Sequence, residues 1–228
     1  MPYFFWDPTF ILLIPAVILA LWANSRVKST YAKFDQVITR KRITGAAVAR
    51  DLLSRRGIHD VSIEEVAGKL SDHYDPRDRT LRLSSGIYRG ASVAAVGIAA
   101  HEVGHAIQHN QGYAPMKIRG ALVPVASIGS NLAFPMFLFG FFFQATGLMD
   151  LGILFYTGAV LFQVITLPVE FNASSRAMAI LESGGYLVGS EPAQARKVLN
   201  AAALTYVAAT AMAAIQLLRL IVLRGRQD

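Results

Sequence analysis

Apolar and polar positions divide this chain into long apolar stretches and shorter patterned ones. Four stretches are long, running from about Pro8 to Ala23, Ala121 to Phe143, Leu151 to Val169 and Ala201 to Leu223. A helix crossing a bilayer needs about 20 apolar residues, with about 17 as the lower limit. The middle two meet that length and, joined by the short Gln144–Asp150 segment, predict a transmembrane hairpin. The first is at the short end. It lacks the basic flank and small-residue cleavage site of a signal peptide, so it reads as an uncleaved anchor. The fourth carries Gln216 and Arg219. It either spans, with Arg219 snorkelling to an interface, or packs or lies along the membrane surface.

The remaining pattern has shorter periods. Residues 24–43 read as a polar helix continuing out of the first span. Thr44 to Arg56 is amphipathic, with Ala47, Val48, Leu52 and Leu53 at helical spacing and Gly57 as its stop. Val61 to Val66 is a short β-like run, and His73 to Asp78 carries turn chemistry. Thr80 to Ser84 alternates apolar and polar residues as a half-exposed strand does. An alanine-rich helix follows from about Ala91 to Asn110 and ends near Gly112. The expected organisation is therefore an anchor at 1–24, a polar catalytic part at 25–120 and a transmembrane hairpin at 121–169. A further helix and loop at 170–200 and a C-terminal apolar helix at 201–228 complete it.

Composition agrees with the membrane reading, since 54% of the 228 residues are hydrophobic and only 16% are charged, against roughly 25% charged in soluble domains. The net charge of +7 comes without basic stretches interleaved with aromatics, which argues against a nucleic-acid partner. Its basic residues cluster instead where a membrane protein puts them. Arg26, Lys28, Lys33, Arg40, Lys41 and Arg42 follow the first span, Lys117 and Arg119 precede the second, and Gln144–Asp150 has none. Positive-inside reasoning places residues 24–120 in the cytoplasm. A spanning fourth helix would carry Arg224 and Arg226 outside, against that rule. There are no cysteines, which excludes disulfides, thiolate metal sites and cysteine nucleophiles.

The alanine-rich helix contains His101-Glu102-Val103-Gly104-His105. Two histidines four apart stand one turn apart on one helix face, so both imidazoles reach one ion. Glu102 is rotated by about 100° from His101 and is placed to take a proton from water activated by that ion. His109 lies one turn further along. A catalytic zinc needs a third protein ligand. The acidic residues after the motif are Asp150, Glu170, Glu182, Glu191 and Asp228. Asp150 falls in the extracytoplasmic turn, and Glu182 and Glu191 sit among Gly184, Gly185 and Pro192, where loop roles are expected. Glu170 directly follows the third apolar stretch. A transmembrane hairpin returns the chain to the face it left, so Glu170 and the histidine helix meet there. Pro168 marks the change from spanning helix to site helix. The lesser alternative for Glu170 is an interfacial charge that closes a membrane helix.

At these residues the chain resembles the neutral zinc metallopeptidases of the membrane, YugP type. The likeness runs through Ser71-Asp72-His73-Tyr74-Asp75-Pro76, Leu81-Arg82-Leu83-Ser84 and Ala99 to Gln108. It continues in Leu167-Pro168-Val169-Glu170-Phe171-Asn172-Ala173-Ser174 and Leu199 to Ala208. It covers most of the chain from about residue 25. The layout is also similar to HtpX and the CAAX-prenyl endopeptidases, where a Glu-x-x-Ala-Asp helix after a hairpin supplies the third ligand. Glu170 and Ala173 match that pattern, Ser174 stands where the wider group has Asp, and Asn172 stands where the closer family carries an acid.

The resemblance implies a mainly α integral-membrane protein with a small α+β, gluzincin-like zinc peptidase domain carrying a short β-hairpin and edge strand. It implies one zinc per chain, held by His101, His105 and Glu170 with Glu102 as general base. The expected substrate is a peptide or membrane protein met at the cytoplasmic face, in the plasma membrane if the source is bacterial. Asn172 is expected beside a zinc-bound histidine. Tyr206, His109 and Arg176 are candidates for stabilising an oxyanion. Leu81, Arg82 and Leu83 are expected to form the edge on which extended substrate pairs. A zinc-binding scaffold or chaperone-like regulator without proteolytic activity is the alternative.

Overall fold

A computed structural model describes residues 8–226, so Asp7 and Asp228 lie outside the described residues. The chain is mainly helical, with one three-stranded sheet. It falls into two compact units: one comprises Ser25–Met116 and Pro168–Leu204, the other Lys117–Leu167 with the described parts of Met1–Asn24 and Thr205–Asp228.

Among the described residues, four helices are long and apolar enough to cross a membrane, Pro8–Asp35, Ala114–Phe142, Thr146–Ser183 and Glu191–Arg224, and the apolar unit is built on parts of them. The first begins as a 3-10 turn, Pro8–Leu13, and becomes α1, Ile14–Asp35. The polar helix expected over 24–43 is thus the end of α1 and stops at Asp35. Beyond it, Ile38 forms a β-bridge with Ser92.

α5 (Ala114–Phe142) and α6 (Thr146–Ser183) form a hairpin. The connection is three residues long, with Gln144 left-handed at φ 54°. Small residues let these helices approach closely, as is usual where lipid removes the hydrophobic drive to associate. A Cβ at Gly152 would lie 2.8 Å from the Ala133 carbonyl. α6 runs unbroken through Pro168, and the boundary between the two compact units falls at Leu167 and Pro168.

α7 (Glu191–Arg224) runs antiparallel to α6. The Arg224 guanidinium pairs with Asp150 at 2.7 Å, and Thr210 Oγ1 donates to the Gln163 carbonyl at 3.4 Å. Arg219 is buried, donates to Thr9 Oγ1 and lies 3.7 Å over the Phe10 ring.

In the other unit, α2 (Gly45–Arg55) is capped by Thr44, whose hydroxyl accepts from Ala47 N. It is stopped at Gly57, where φ is +67°. The strands are β1 (Ser62–Val66), β2 (His73–Asp75) and β3 (Thr80–Ser84). Their order is β1-β3-β2, with β1 parallel and β2 antiparallel to β3. The turn expected at His73–Asp78 therefore begins as a strand, and only its second half turns. β3 is a central strand covered on both sides, with Leu81 and Leu83 fully buried.

A short α3 (Ser85–Arg89) leads to α4 (Val93–Asn110). Ser92 caps α4 by accepting from Ala95 N and donates to Asp35 Oδ1 at 3.0 Å, which ties the end of α1 to the start of α4. One core joins α2, the sheet, α4, the second half of α6 and the first turns of α7.

α4 and α6 touch backbone to backbone. A Cβ on Gly104 would stand 2.6 Å from the Ala173 carbonyl oxygen. At Gly97, on the same helix, it would meet Ala195 Cβ at 3.5 Å and Ala195 Cα at 3.9 Å, ordinary contacts. Gly104→Ala must push the helices apart, an overpacking cost of about 1–3 kcal/mol. Thermal unfolding in detergent should show a midpoint several degrees lower for Gly104→Ala and unchanged for Gly97→Ala. Equal midpoints for the two variants would refute the close approach.

Candidate metal centre

Two helices supply the site. α4 is an alanine-rich helix whose interior is almost wholly buried, so its polar residues at 101, 102, 105 and 108 point into protein. Glu170 lies on α6, within the same compact unit, and is 2% exposed. The Nε2 atoms of His101 and His105 lie 3.3 and 3.5 Å from Glu170 Oε2. One ligand atom from each of the three residues falls within 4.8 Å of the other two. The imidazoles meet edge to face with centroids 4.8 Å apart. Burying a carboxylate between two imidazoles is costly unless each is compensated.

This donor set fits zinc. With metal–ligand bonds of about 2.0–2.1 Å, the edges of a tetrahedron are about 3.3 Å long, and the two nitrogen–oxygen separations match that length. The atoms are imidazole nitrogen and carboxylate oxygen, the donors that a cysteine-free chain has for this ion. The His101 side chain is the most open of the three, at 14% exposed.

Electrostatics at the site follow from burial. Burial pushes the Glu102 carboxyl above the ordinary carboxylate range; the two histidines oppose this, while Glu170 and Asp72 add to it. For His105, burial alone would disfavour the charged ring, but the hydrogen bond and charge of Glu170 outweigh it and hold the ring above its usual value.

Each histidine also has a partner at its other nitrogen, and both partners are neutral. His101 Nδ1 lies 3.1 Å from Ser174 Oγ. His105 Nδ1 lies 3.0 Å from the oxygen of Gln108, which is fully buried. Gln108 Nε2 donates to the Val169 carbonyl at 2.8 Å and to Asn172 Oδ1 at 3.0 Å. Arg176 Nε donates to the same Asn172 oxygen at 2.6 Å.

Sequence reasoning missed Gln108 as a partner, although its position three residues after His105 on one helix face was a usable signal. It named Ser174 only as a departure from a pattern. Asn172, expected beside a histidine, reaches His105 only through Gln108.

The other expected residues have different places. Arg176 is turned away from Glu170 around α6: it donates to Gln111 Oε1 at 2.5 Å and lies 5.8 Å over the Tyr113 ring. His109 Nδ1 is 2.8 Å from the Tyr74 hydroxyl on β2. Burial, with the Asp75 and Asp78 charges, pushes that hydroxyl's pKa up to about 12, so it is a neutral partner. Tyr206 lies on α7 in the apolar unit, where its carbonyl accepts from Thr210.

Leu81, Arg82 and Leu83 cannot form a substrate edge. β3 is paired with β1 along its length and with β2 over Thr80–Arg82, and the Asp72 carboxylate accepts from Ser84 N at 2.7 Å. The strand order that decides this is not written in the alternation of side chains. The rival carboxylates are engaged elsewhere: Asp150 with Arg224, Glu182 with Arg196, and Glu191 with the backbone of Arg40 and Val188.

Comparison with known proteins agrees with this chemistry. Residues 9–225 match the family described as "Putative neutral zinc metallopeptidase". A relative from Bacillus subtilis (strain 168), named "Putative membrane protease YugP", is 45% identical over 219 residues, covering 95% of this chain and 97% of the relative. No solved structure matches the chain. With a match over nearly its whole length and three convergent metal donors at its buried centre, the chain belongs to the neutral zinc metallopeptidase family.

Proposed function

We propose that this membrane protein is a zinc-dependent endopeptidase of the gluzincin type, holding one zinc through His101, His105 and Glu170 and using Glu102 as general base. The observation that carries the reading is the convergence of two Nε2 atoms on one carboxylate at 3.3 and 3.5 Å, on the helix that also holds Glu102. Bound zinc supplies a Lewis acid that polarises the peptide carbonyl and makes water acidic near neutrality.

The protein's own groups do the rest. Glu102 takes a proton from the attacking water and returns it to the leaving amine nitrogen. Burial raises the carboxyl, which favours its holding the proton between the two halves of that transfer. The neutral partners at Ser174 and Gln108 hold the rings without adding a second negative charge to the site. The YugP relative is named as a membrane protease, which supports peptide or membrane-protein substrates for this chain. An inactive zinc-binding scaffold is the second reading. The buried Glu102 speaks against it, since a scaffold has no use for an unneutralised carboxyl beside its metal.

The site faces the cytoplasm in this proposal. The basic cluster after the first span supports it. The objection is that a spanning α7 carries Arg224 and Arg226 to the outer side. Arg224 pairs there with Asp150; the rule counts basic residues and not net charge, so the larger cluster after the first span is what supports the orientation.

Two experiments test the proposal. Zinc is measured by elemental analysis in detergent-purified wild type, Glu102→Gln and Glu170→Ala, with casein cleavage alongside. About one zinc per chain is expected in the first two, with cleavage lost in Glu102→Gln, and at least tenfold weaker zinc in Glu170→Ala. Full occupancy in Glu170→Ala would remove Glu170 from the site, and cleavage surviving in Glu102→Gln would remove the base. For orientation, the absence of native cysteine allows single reporters at Ser29 and Gln144. A membrane-impermeant maleimide applied to intact cells should label Gln144→Cys and spare Ser29→Cys. The reverse pattern would invert the topology.

A further inference from the structure

The geometry points to a second peptide-binding surface on this chain, the outer edge of β1 with the cavity beside it, which takes the C-terminus of a partner polypeptide whose last residue is apolar. The inference is independent of the zinc reading and concerns only the compact unit Ser25–Met116 with Pro168–Leu204.

The sheet leaves β1 at an edge. In the order β1-β3-β2, its strand partner among the described residues is β3 alone. It lies on the far side of β3 from β2, the strand whose Tyr74 reaches His109 of the histidine helix. The ladder shows which backbone groups are unused. Ser62 N donates to the Arg79 carbonyl at 3.1 Å, so the Ser62 backbone faces β3. Backbone direction alternates along a strand. Glu64 and Val66 therefore face β3 as well, and the N–H and C=O groups of Ile63 and Glu65 face outward. Among the described residues, neither Ile63 nor Glu65 makes a backbone hydrogen bond outside the ladder. Such a row is a template for an added strand.

A cavity of about 300 Å³ opens beside this edge, between α2 and the N-terminal end of β1. Leu53 and Ile58 are buried and Val61 and Ile63 half-buried, which gives it an apolar wall, while Arg50 and His59 are exposed. That volume stands at the lower end for ligand sites, roughly 300–1,000 Å³, and holds one large apolar side chain. The charges nearby are balanced except at one place. Arg55 pairs with Asp51, Arg79 with Asp60, Arg82 with Glu64 and Arg89 with Glu65. The Arg50 side chain has no ion pair or hydrogen bond among the described residues.

An apolar wall and an unpaired guanidinium at one small cavity select a particular ligand. Successive side chains of an extended chain point to opposite faces, so an apolar residue and an acidic neighbour do not both enter. A terminal α-carboxylate leaves the same Cα as the last side chain, so it reaches Arg50 while that side chain fills the cavity. Because the cavity lies at the N-terminal end of β1, a chain ending there runs antiparallel to β1, and its earlier residues bond to Ile63 and Glu65. A second copy of β1 does not fit. Antiparallel self-pairing about the middle of the strand sets Glu64 against Glu64, and like charges directly opposite are destabilising.

Fluorescence anisotropy tests this on the full-length protein in detergent, in the Glu102→Gln background so that the peptide stays whole. The probes are fluorescein-labelled short peptides ending in Thr-Val-Thr followed by Ala, Val, Leu or Phe, each with a free and with an amidated C-terminus. At least one free-acid peptide is expected to bind saturably, with Kd below about 1 mM. Amidation should weaken it about tenfold or more, as loss of a charged hydrogen bond does. Arg50→Ala should weaken the free acid by the same factor and leave the amide unchanged, because both changes remove one interaction. Arg50 is exposed, so its replacement spares the core. Glu65→Pro removes one outward N–H at a place where an edge strand tolerates proline, and should weaken both peptide forms about two- to tenfold.

No saturable binding by any of these peptides would overturn the proposal. So would binding that amidation or Arg50→Ala leaves unchanged, since the peptide would then be held elsewhere. Equal binding of an amidated peptide with an internal Leu-Asp pair would also overturn it, in favour of a surface for acidic segments.

Discussion

The backbone contact between α4 and α6 at Gly104 and Ala173 is the constraint on which the site depends. Nitrogen and oxygen donors within 3.5 Å of each other require the parent helices to come closer than two ordinary side-chain layers allow. Gly104 removes the layer on one side, and Ala173 keeps it minimal on the other. The same residue of the motif that looks like filler between two histidines is therefore what lets a second helix bring its carboxylate to them. Ser174 and Gln108 act across the same seam, so the seam brings together the donors and the groups that orient them.

The charges follow from that geometry. A closed seam buries His105, Glu102 and Glu170 almost completely. Buried charge must be compensated, and Glu170 finds two imidazoles. Glu102 has no cation of its own beyond them and responds by holding its proton more tightly. The seam is otherwise lined with neutral hydrogen-bonding groups. In the proposed zinc site this leaves one carboxylate as ligand and one carboxyl for proton transfer, with Asp72 the further charge that acts on Glu102. Asp72, whose carboxyl is also raised by burial, is occupied by the backbone and hydroxyl of Ser84.

Much of this was legible in the sequence where the information is local. The spans follow from apolar length, and His101, Glu102 and His105 from helical spacing. Glu170 required one topological step, that a hairpin returns the chain to its starting face. What could not be read depends on how elements are ordered or crossed. The alternation in Thr80–Ser84 describes a strand equally well at an edge or in the middle, and only the pairing with both β1 and β2 decides it. The histidine partners were misplaced by one step, because whether Asn172 or Gln108 reaches His105 depends on the angle at which α4 meets α6. The partner of Arg224 was not readable, because Asp150 lies 74 residues away in sequence. The polar end of α1 looked longer than it is, since nothing in residues 36–43 forbids a helix. Their structure is set by the bridge to Ser92.

The central claim is that one zinc is held by two histidines of α4 and one carboxylate of α6. Zinc K-edge X-ray absorption on the purified full-length protein tests it most directly. The account predicts two imidazole nitrogens and a carboxylate oxygen at about 2.0–2.2 Å, no sulfur, and at most one further light ligand. In Glu170→Ala, the protein oxygen should disappear from the shell. A shell of three imidazoles, or a wild-type spectrum that the Glu170→Ala change leaves untouched, would contradict it.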